Sequence, residues 1–260
     1  TSFSTTGVRR FLISTNGEVL YGGVMDTNGR LLVSGYGING GIANGFLARL
    51  ESDGSFDTSF ATVGYAFYSQ NGAASLMIKS VADGLGGYWI SGMREAPVDG
   101  HMTHWRILSN GTLNTSFYTN GYRTLVAGSQ SQAYKPAFDT AGRVYLSGSY
   151  AAGALRYVQV NRLLSDGTID TSFNSTGQRT LTNGSTIGII PWFVPQTVDS
   201  QGRPWISYAN QTVRLATDGL IETSWYPYGF YQAANEVVAL QLGYNDSVYR
   251  QTLKTDGSAF

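Results

Sequence analysis

The sequence predicts an all-β fold, a five-bladed β-propeller filling a single domain over residues 1–260. Three observations predict it. The phrase Arg-Leu-x-x-Asp-Gly-x-x-Asp-x-Ser-Phe recurs at 49–60, 106–117, 162–173 and 214–225, and a fifth copy at 252–260 is continued in phase by residues 1–3. A second phrase falls between the first ones: an apolar pair, Asp-x-x-Gly-Arg, then β-branched and aromatic residues. It runs from Val24 to Gly35, from Phe138 to Gly148 and from Val198 to Arg203, with a looser copy from Val81 to Gly86. No segment carries a 3.6-residue apolar period, so helices are not the building unit.

Within one repeat the elements follow in order. Asp-x-x-Gly is a tight turn: the carboxylate bonds backbone amides and the glycine takes a positive φ. It therefore joins strand A, about 19–25, to strand B, about 30–35. Strand C, about 46–52, leads into Asp-Gly, and strand D, about 64–69, follows the Asp-x-Ser-Phe loop. Four antiparallel strands per repeat make a propeller blade. The fifth repeat is shorter and lacks Asp-x-x-Gly-Arg; Glu236–Leu242 and Ser247–Leu253 read as two strands joined directly. The last blade is thus expected to be one strand short and closed by the N-terminal strand, Gly7 to Ser14. A four-bladed ring with an irregular closure is the alternative. Because Thr1 falls in mid-repeat, a processed product or an excised segment is expected.

These phrases resemble the delta-60 repeat, a propeller-forming repeat of bacterial and phage surface proteins, and more distantly the NHL repeat. The resemblance runs along nearly the whole chain. It implies the five-bladed ring and a surface context, and no mechanism.

Composition narrows the function classes. Lys plus Arg and Asp plus Glu both number 17, so no basic face points to nucleic acid. Only 13% of residues are charged, and 33 are glycine. That mixture suits short strands and many turns, and it fits an extracellular, virion or cell-surface protein. With no cysteine, disulfides and thiolate metal sites are excluded. No apolar run approaches the roughly 18 residues of a membrane span, so no membrane insertion is expected.

Each candidate functional residue has a structural role open to it as well. Arg49, Arg106, Arg162 and Arg214 keep fixed offsets to Asp57, Asn114, Asp170 and Glu222; a contact present in nearly every blade is expected to pin the blade. Asp-Gly-x-x-Asp offers too few carboxylates for calcium, which takes about six to eight oxygens. His101 and His104 lie in a segment, 93–104, read as the longest B–C loop, with Glu95 and Asp99; no third firm ligand has metal spacing, so no metal or cofactor is expected. Lys79 and Lys135 occupy the same position in successive repeats, four residues before the turn aspartate, where they suit either a solvated channel or a small anion. Tyr36 and Tyr150 sit in or beside B–C loops, where aromatic planes suit a sugar. The expected ligand-binding set is therefore Tyr36, Lys79, Arg94, Glu95, Asp99, His101, Lys135 and Tyr150, on B–C loops 36–45, 92–103 and 148–154 and in strand A. No catalytic residue is assigned.

The function expected from this reading is a non-catalytic recognition or adhesion module of a phage tail or bacterial surface assembly. Its partners would be a cell-surface glycan or protein receptor and neighbouring chains. Two alternatives stand beside it: a structural spacer or docking ring, and a glycan-cleaving enzyme using Glu18 and Glu236 at the channel rim.

Overall fold

The computed structural model describes residues 3–68, 74–84, 86–96, 99–125, 128–153, 155–181, 196–208, 211–225, 230–232, 237–242 and 248–252. Among them there is no helix, and every sheet is antiparallel. The chain divides into two compact units, Thr1–Val126 with Gln130–Ala133, and Ala127–Ser129 with Tyr134–Phe260.

The first unit holds two four-stranded meanders, each in sequence order. One is β1 (Glu18–Met25), β2 (Leu31–Asn39), β3 (Ile42–Leu50) and β4 (Tyr65–Tyr68); the other is β5 (Ser75–Ala82), β6 (Tyr88–Ala96), β7 (Asp99–Ile107) and β8 (Tyr122–Leu125). Next in sequence is β9 (Ser129–Ala133), all but Ser129 of it in the first unit; the second unit then holds β10 (Ala137–Phe138), β11 (Val144–Ala152), β12 (Leu155–Leu163) and β13 (Gln178–Leu181). A further meander is β14 (Gln196–Val198), β15 (Pro204–Tyr208), β16 (Gln211–Arg214) and β17 (Phe230–Gln232). The pair β18 (Val237–Leu242) and β19 (Val248–Thr252) completes the described strands. The two strands expected in the short fifth repeat are these last two.

The turn phrases do what their chemistry requires. Asp26 Oδ1 accepts from the amides of Asn28 and Arg30, and Arg30 Nε donates back to Asp26 Oδ2 at 2.8 Å. Asp139 with Arg143 and Asp199 with Arg203 repeat the pattern. Gly29, Gly142 and Gly202 each take φ 75°, which only glycine adopts without penalty.

The Ser-Phe loops are alike in equal detail. Gly64 N bonds Phe60 O, Gly121 N bonds Phe117 O, and Gly177 N bonds Phe173 O. The two residues after Phe60 and Phe173 are left-handed although none is glycine (Ala61, Thr62, Asn174, Ser175), a conformation costing about 1–2 kcal/mol per residue. A bond to the Asn-Gly or Asp-Gly turn of the following repeat offsets that cost: Ala61 N donates to Asn110 O, and Asn174 N to Asp218 O. Residues 3–7 reproduce the loop. Gly7 N bonds Phe3 O, Ser4 and Thr5 are left-handed, and Ser4 N donates to Asp53 O.

Each unit has its own core. In the first, Leu32, Leu47, Phe60, Tyr88, Ile90, Trp105 and Ile107 are fully buried in one cluster. In the second, Tyr145, Val160, Phe173, Ile206, Val213 and Leu215 are. Side chains of this size contribute about 1.5–3 kcal/mol each on burial.

Two expectations about elements are corrected. Residues 7–14 form no strand. Instead Glu18 holds the amides of Ile13 and Ser14, and Ser14 Oγ donates to Gly17 O, which turns the segment into β1. The B–C connections are not loops either. Residues 36–39 and 42–45 pair on β2 and β3 around Gly40 and Gly41, residues 92–96 and 99–103 pair on β6 and β7, and residues 148–152 lie on β11.

Candidate functional site

The repeated arginines come first, because they are the most regular feature. Arg49 is buried at 1% exposure. Its Nε donates to Asp57 Oδ2 at 2.6 Å, Nη2 to Ser59 Oγ at 3.0 Å, and Nη1 to the Ser109 carbonyl of the next sheet. Its guanidinium lies 4.8 Å over the Phe60 ring. Arg162 repeats every contact with Asp170, Ser172, Thr217 and Phe173. Arg214 bonds Glu222 and Ser224. Each is a clamp inside a blade, as the sequence predicts.

Arg106 departs from the pattern. Position 114 is asparagine, and Arg106 pairs with Asp83 instead, donating also to the carbonyls of Ile107 (2.8 Å) and Tyr88 (3.3 Å). Asp83 opens the one Asp-x-x-Gly phrase without its arginine, since position 87 is glycine. The clue is two linked exceptions in the sequence, legible only once the pairing is known.

Carboxylates that an acid–base reaction would need are largely committed. Asp26, Asp57, Asp83, Asp139, Asp170, Asp199 and Glu222 all pair with arginine. Burial alone would raise Asp57, but bonds from Ser59 and Arg49 overcome it and bring its pKa down to about 2. Glu18, proposed for a channel rim, spends its carboxylate on two backbone amides. Glu236 lies outside the described residues.

The sequence-selected binding residues fall in five places. Arg94, Glu95, Asp99 and His101 share one hairpin, β6–β7. There Arg94 stands opposite His101, Glu95 opposite Gly100, and Ala96 opposite Asp99. Arg94 and His101 are half-buried, and His101 Nδ1 has no hydrogen-bond partner. Tyr36 lies on β2 opposite Gly45, its ring 5.9 Å from that of Tyr21. Tyr150 lies on β11 and stacks on Tyr157 at 5.3 Å and 20°. Lys79 is a half-buried residue of β5 opposite Ser91, just past a bulge, whereas Lys135 is exposed between β9 and β10. The two lysines belong to different units.

His104 is not a loop residue starting strand C but the middle of β7, wholly buried, with Nδ1 2.8 Å from Ser91 Oγ. Burial pushes its pKa down to about 3, so it stays neutral, and with Ser91 and His104 both wholly buried the pair is closed to a substrate. Ser34, Ser91, Ser147 and Ser207 hold the same buried place on successive B strands, and in the last, Ser207 bonds Thr212 at 2.7 Å. The serine–histidine pair is one version of a structural layer. Among the described residues no three of His, Cys, Asp and Glu are placed to hold a metal ion.

Comparison with known proteins supports the fold. Residues 27–60 match a family model described as "Domain of unknown function (DUF5122) beta-propeller". No curated protein matches the sequence. Among solved structures, the chain resembles a gluconolactonase from Xanthomonas campestris, with 13% identity over 90% of this chain and 69% of that one and a TM-score of 0.47. A second structure, of a protein assigned as a gluconolactonase, shows 15% identity over 90% of this chain and 71% of that one, with a TM-score of 0.45. The chain is an all-β protein of propeller type. Both structures carry the names of enzymes, not of adhesins or tail proteins, and the expectation of a non-catalytic, non-enzymatic module is corrected on that finding. Gluconolactone hydrolysis remains a statement about those proteins.

Proposed function

We propose that this chain is a hydrolase of small esters or lactones, with His101 on the β6–β7 hairpin as its general base. The observation that carries the reading is the register of that hairpin. It gathers Arg94, Glu95, Asp99 and His101 within the last turn of the ladder, whereas the corresponding ends of β2–β3 and β15–β16 carry no acid, histidine or lysine. Histidine is the side chain that ordinarily titrates near neutrality. In this reaction its imidazole takes a proton from water as the hydroxide oxygen adds to the carbonyl carbon. Arg94, across the ladder, stabilises the oxyanion. The C–O bond then breaks, the proton returns to the departing alkoxide, and the products are an acid and an alcohol. Glycoside cleavage by a pair of free carboxylates is less well supported, because Glu18 is held by backbone amides. The purified chain, assayed on a panel of aryl esters, aliphatic esters and sugar lactones, should turn over at least one. His101→Gln should reduce that rate by about 100- to 10,000-fold, and Glu18→Gln should not. Turnover unchanged in His101→Gln, or absent on every substrate, overturns the reading.

We also infer that the five repeats form one five-bladed ring of delta-60 type, in which the loop at Phe3–Gly7 takes the place that Phe60–Gly64 and Phe173–Gly177 take in their repeats. The support is the identity of those loops, bond for bond. A chain lacking residues 1–14 should melt at a markedly lower temperature; an unchanged melting temperature would count against closure.

A further inference from the structure

Among the buried polar atoms of the fourth repeat that have no hydrogen-bond partner, three belong to neighbouring uncharged side chains, Gln196, Tyr208 and Gln211. Gln196 is 8% exposed, and its Nε2 donates to the carbonyls of Lys135 (2.7 Å) and Tyr145 (2.8 Å). Two carbonyl acceptors settle which end of the amide is nitrogen. Its Oε1 is therefore an acceptor, and it has no hydrogen-bond partner; neither has Tyr208 OH or Gln211 Oε1. Tyr208 is 3% exposed.

The register places the three together. Tyr208 stands directly opposite Gln211, and Gln196 stands opposite Ile206, two residues from Tyr208 on the same strand. All three positions share one face of the sheet. Tyr208, on the middle strand, is directly opposed to Gln211 and diagonal to Gln196; opposed Cβ atoms are about 5 Å apart and diagonal neighbours about 7 Å, so the phenol lies between the two amides. Around them the wall is apolar: Tyr208, Ile206 and Val213 join Tyr134, Ala137 and Val158 in one buried cluster.

The chemistry specifies what fits. None of the three groups is charged, and three neutral oxygens are too few for a cation such as calcium, which takes about six to eight. Two amide oxygens accept, and a phenol both donates and accepts. A species with two hydrogens to give and a lone pair to receive meets all three, and a buried water typically makes about three such bonds. Native interiors rarely leave such groups unmet. We propose that Gln196 Oε1, Tyr208 OH and Gln211 Oε1 form an internal hydration site holding one ordered water, built into the fourth repeat.

Tyr208→Phe tests it by sign. If water bridges the three groups, the variant strands that water, and the melting temperature falls by about 2–4 °C for a domain of this size. If the phenol is buried unmet, deleting it removes a desolvation penalty, and the melting temperature rises. A rise, or no change, overturns the proposal. Gln211→Leu supplies the second arm. Through a shared water, the double variant loses less than the sum of the singles; strict additivity overturns the shared site even where each single variant is destabilised.

Discussion

The first and third repeats answer a question that the second answers differently: what neutralises the buried arginine of strand C. In the first and third, Arg49 and Arg162 meet an aspartate eight residues on, a serine two further, and a carbonyl of the next sheet. In the second, asparagine stands at position 114 where the others have aspartate, and Arg106 turns back to Asp83. A Cβ built at Gly87 would collide with the Arg106 guanidinium, where Arg30 stands in the first repeat. One arginine thus serves the turn whose own arginine is missing. A buried guanidinium without a carboxylate is far more costly than the loss of any single hydrogen bond. The second repeat therefore keeps the balance of buried charge, one arginine to one aspartate, rather than the number or the positions of the charges.

The largest expected effect comes from separating the two halves of that exchange. Gly87→Arg alone forces a second guanidinium against Arg106 and should cost about 1–3 kcal/mol by overpacking, with repulsion added. Asn114→Asp alone should be nearly neutral, since Arg106 is already paired. Together they let Arg106 move to the new carboxylate at 114 while the arginine at 87 takes Asp83, as in the first repeat. The urea midpoints should then show a favourable coupling of about 0.5–3 kcal/mol. Additive losses would mean that Arg106 is held by Ile107, Tyr88 and the Trp89 ring at 5.4 Å rather than by charge.

The parts legible beforehand are those where local chemistry decides. Asp-x-x-Gly forces a turn wherever it occurs, so the ends of β1 and the start of β2 follow from Asp26 and Gly29. The paired strands at 237–242 and 248–252 read as two apolar and β-branched runs joined directly, and both are strands. The B–C hairpins were hidden because glycine weighs against strand, and β2 and β3 contain Gly35, Gly37 and Gly45. Their reason lies in tertiary packing: a Cβ at Gly45 would sit 2.8 Å from Met77 Cγ, and one at Gly37 2.7 Å from Ser14 Cβ. Those glycines admit neighbours to the backbone, and no pattern within the strand announces it. The same limit hid the role of His104. Its residue type suggests chemistry, while its place, opposite Ser91 in a buried layer, removes it.

A smaller effect distinguishes the repeats by pH. Burial would raise Asp57, yet Ser59 and Arg49 hold its folded pKa at about 2, below the ordinary 3.8. A carboxylate whose pKa is depressed on folding contributes stability that is complete above its unfolded pKa and lost as pH falls toward the folded one. The contribution of Asp57 should therefore fade between about pH 4 and pH 2. Asp170 is lowered by the same kinds of bond, so the third repeat should lose stability in the same direction. Asn114 has no proton to gain, and the second repeat draws nothing from this clamp. Asp57→Asn should consequently lower the urea midpoint at pH 6, with the difference from the native chain narrowing steadily as the pH is taken to 2. A gap that stays constant with pH would show that shape and hydrogen bonding at 57, not its charge, hold Arg49 in place.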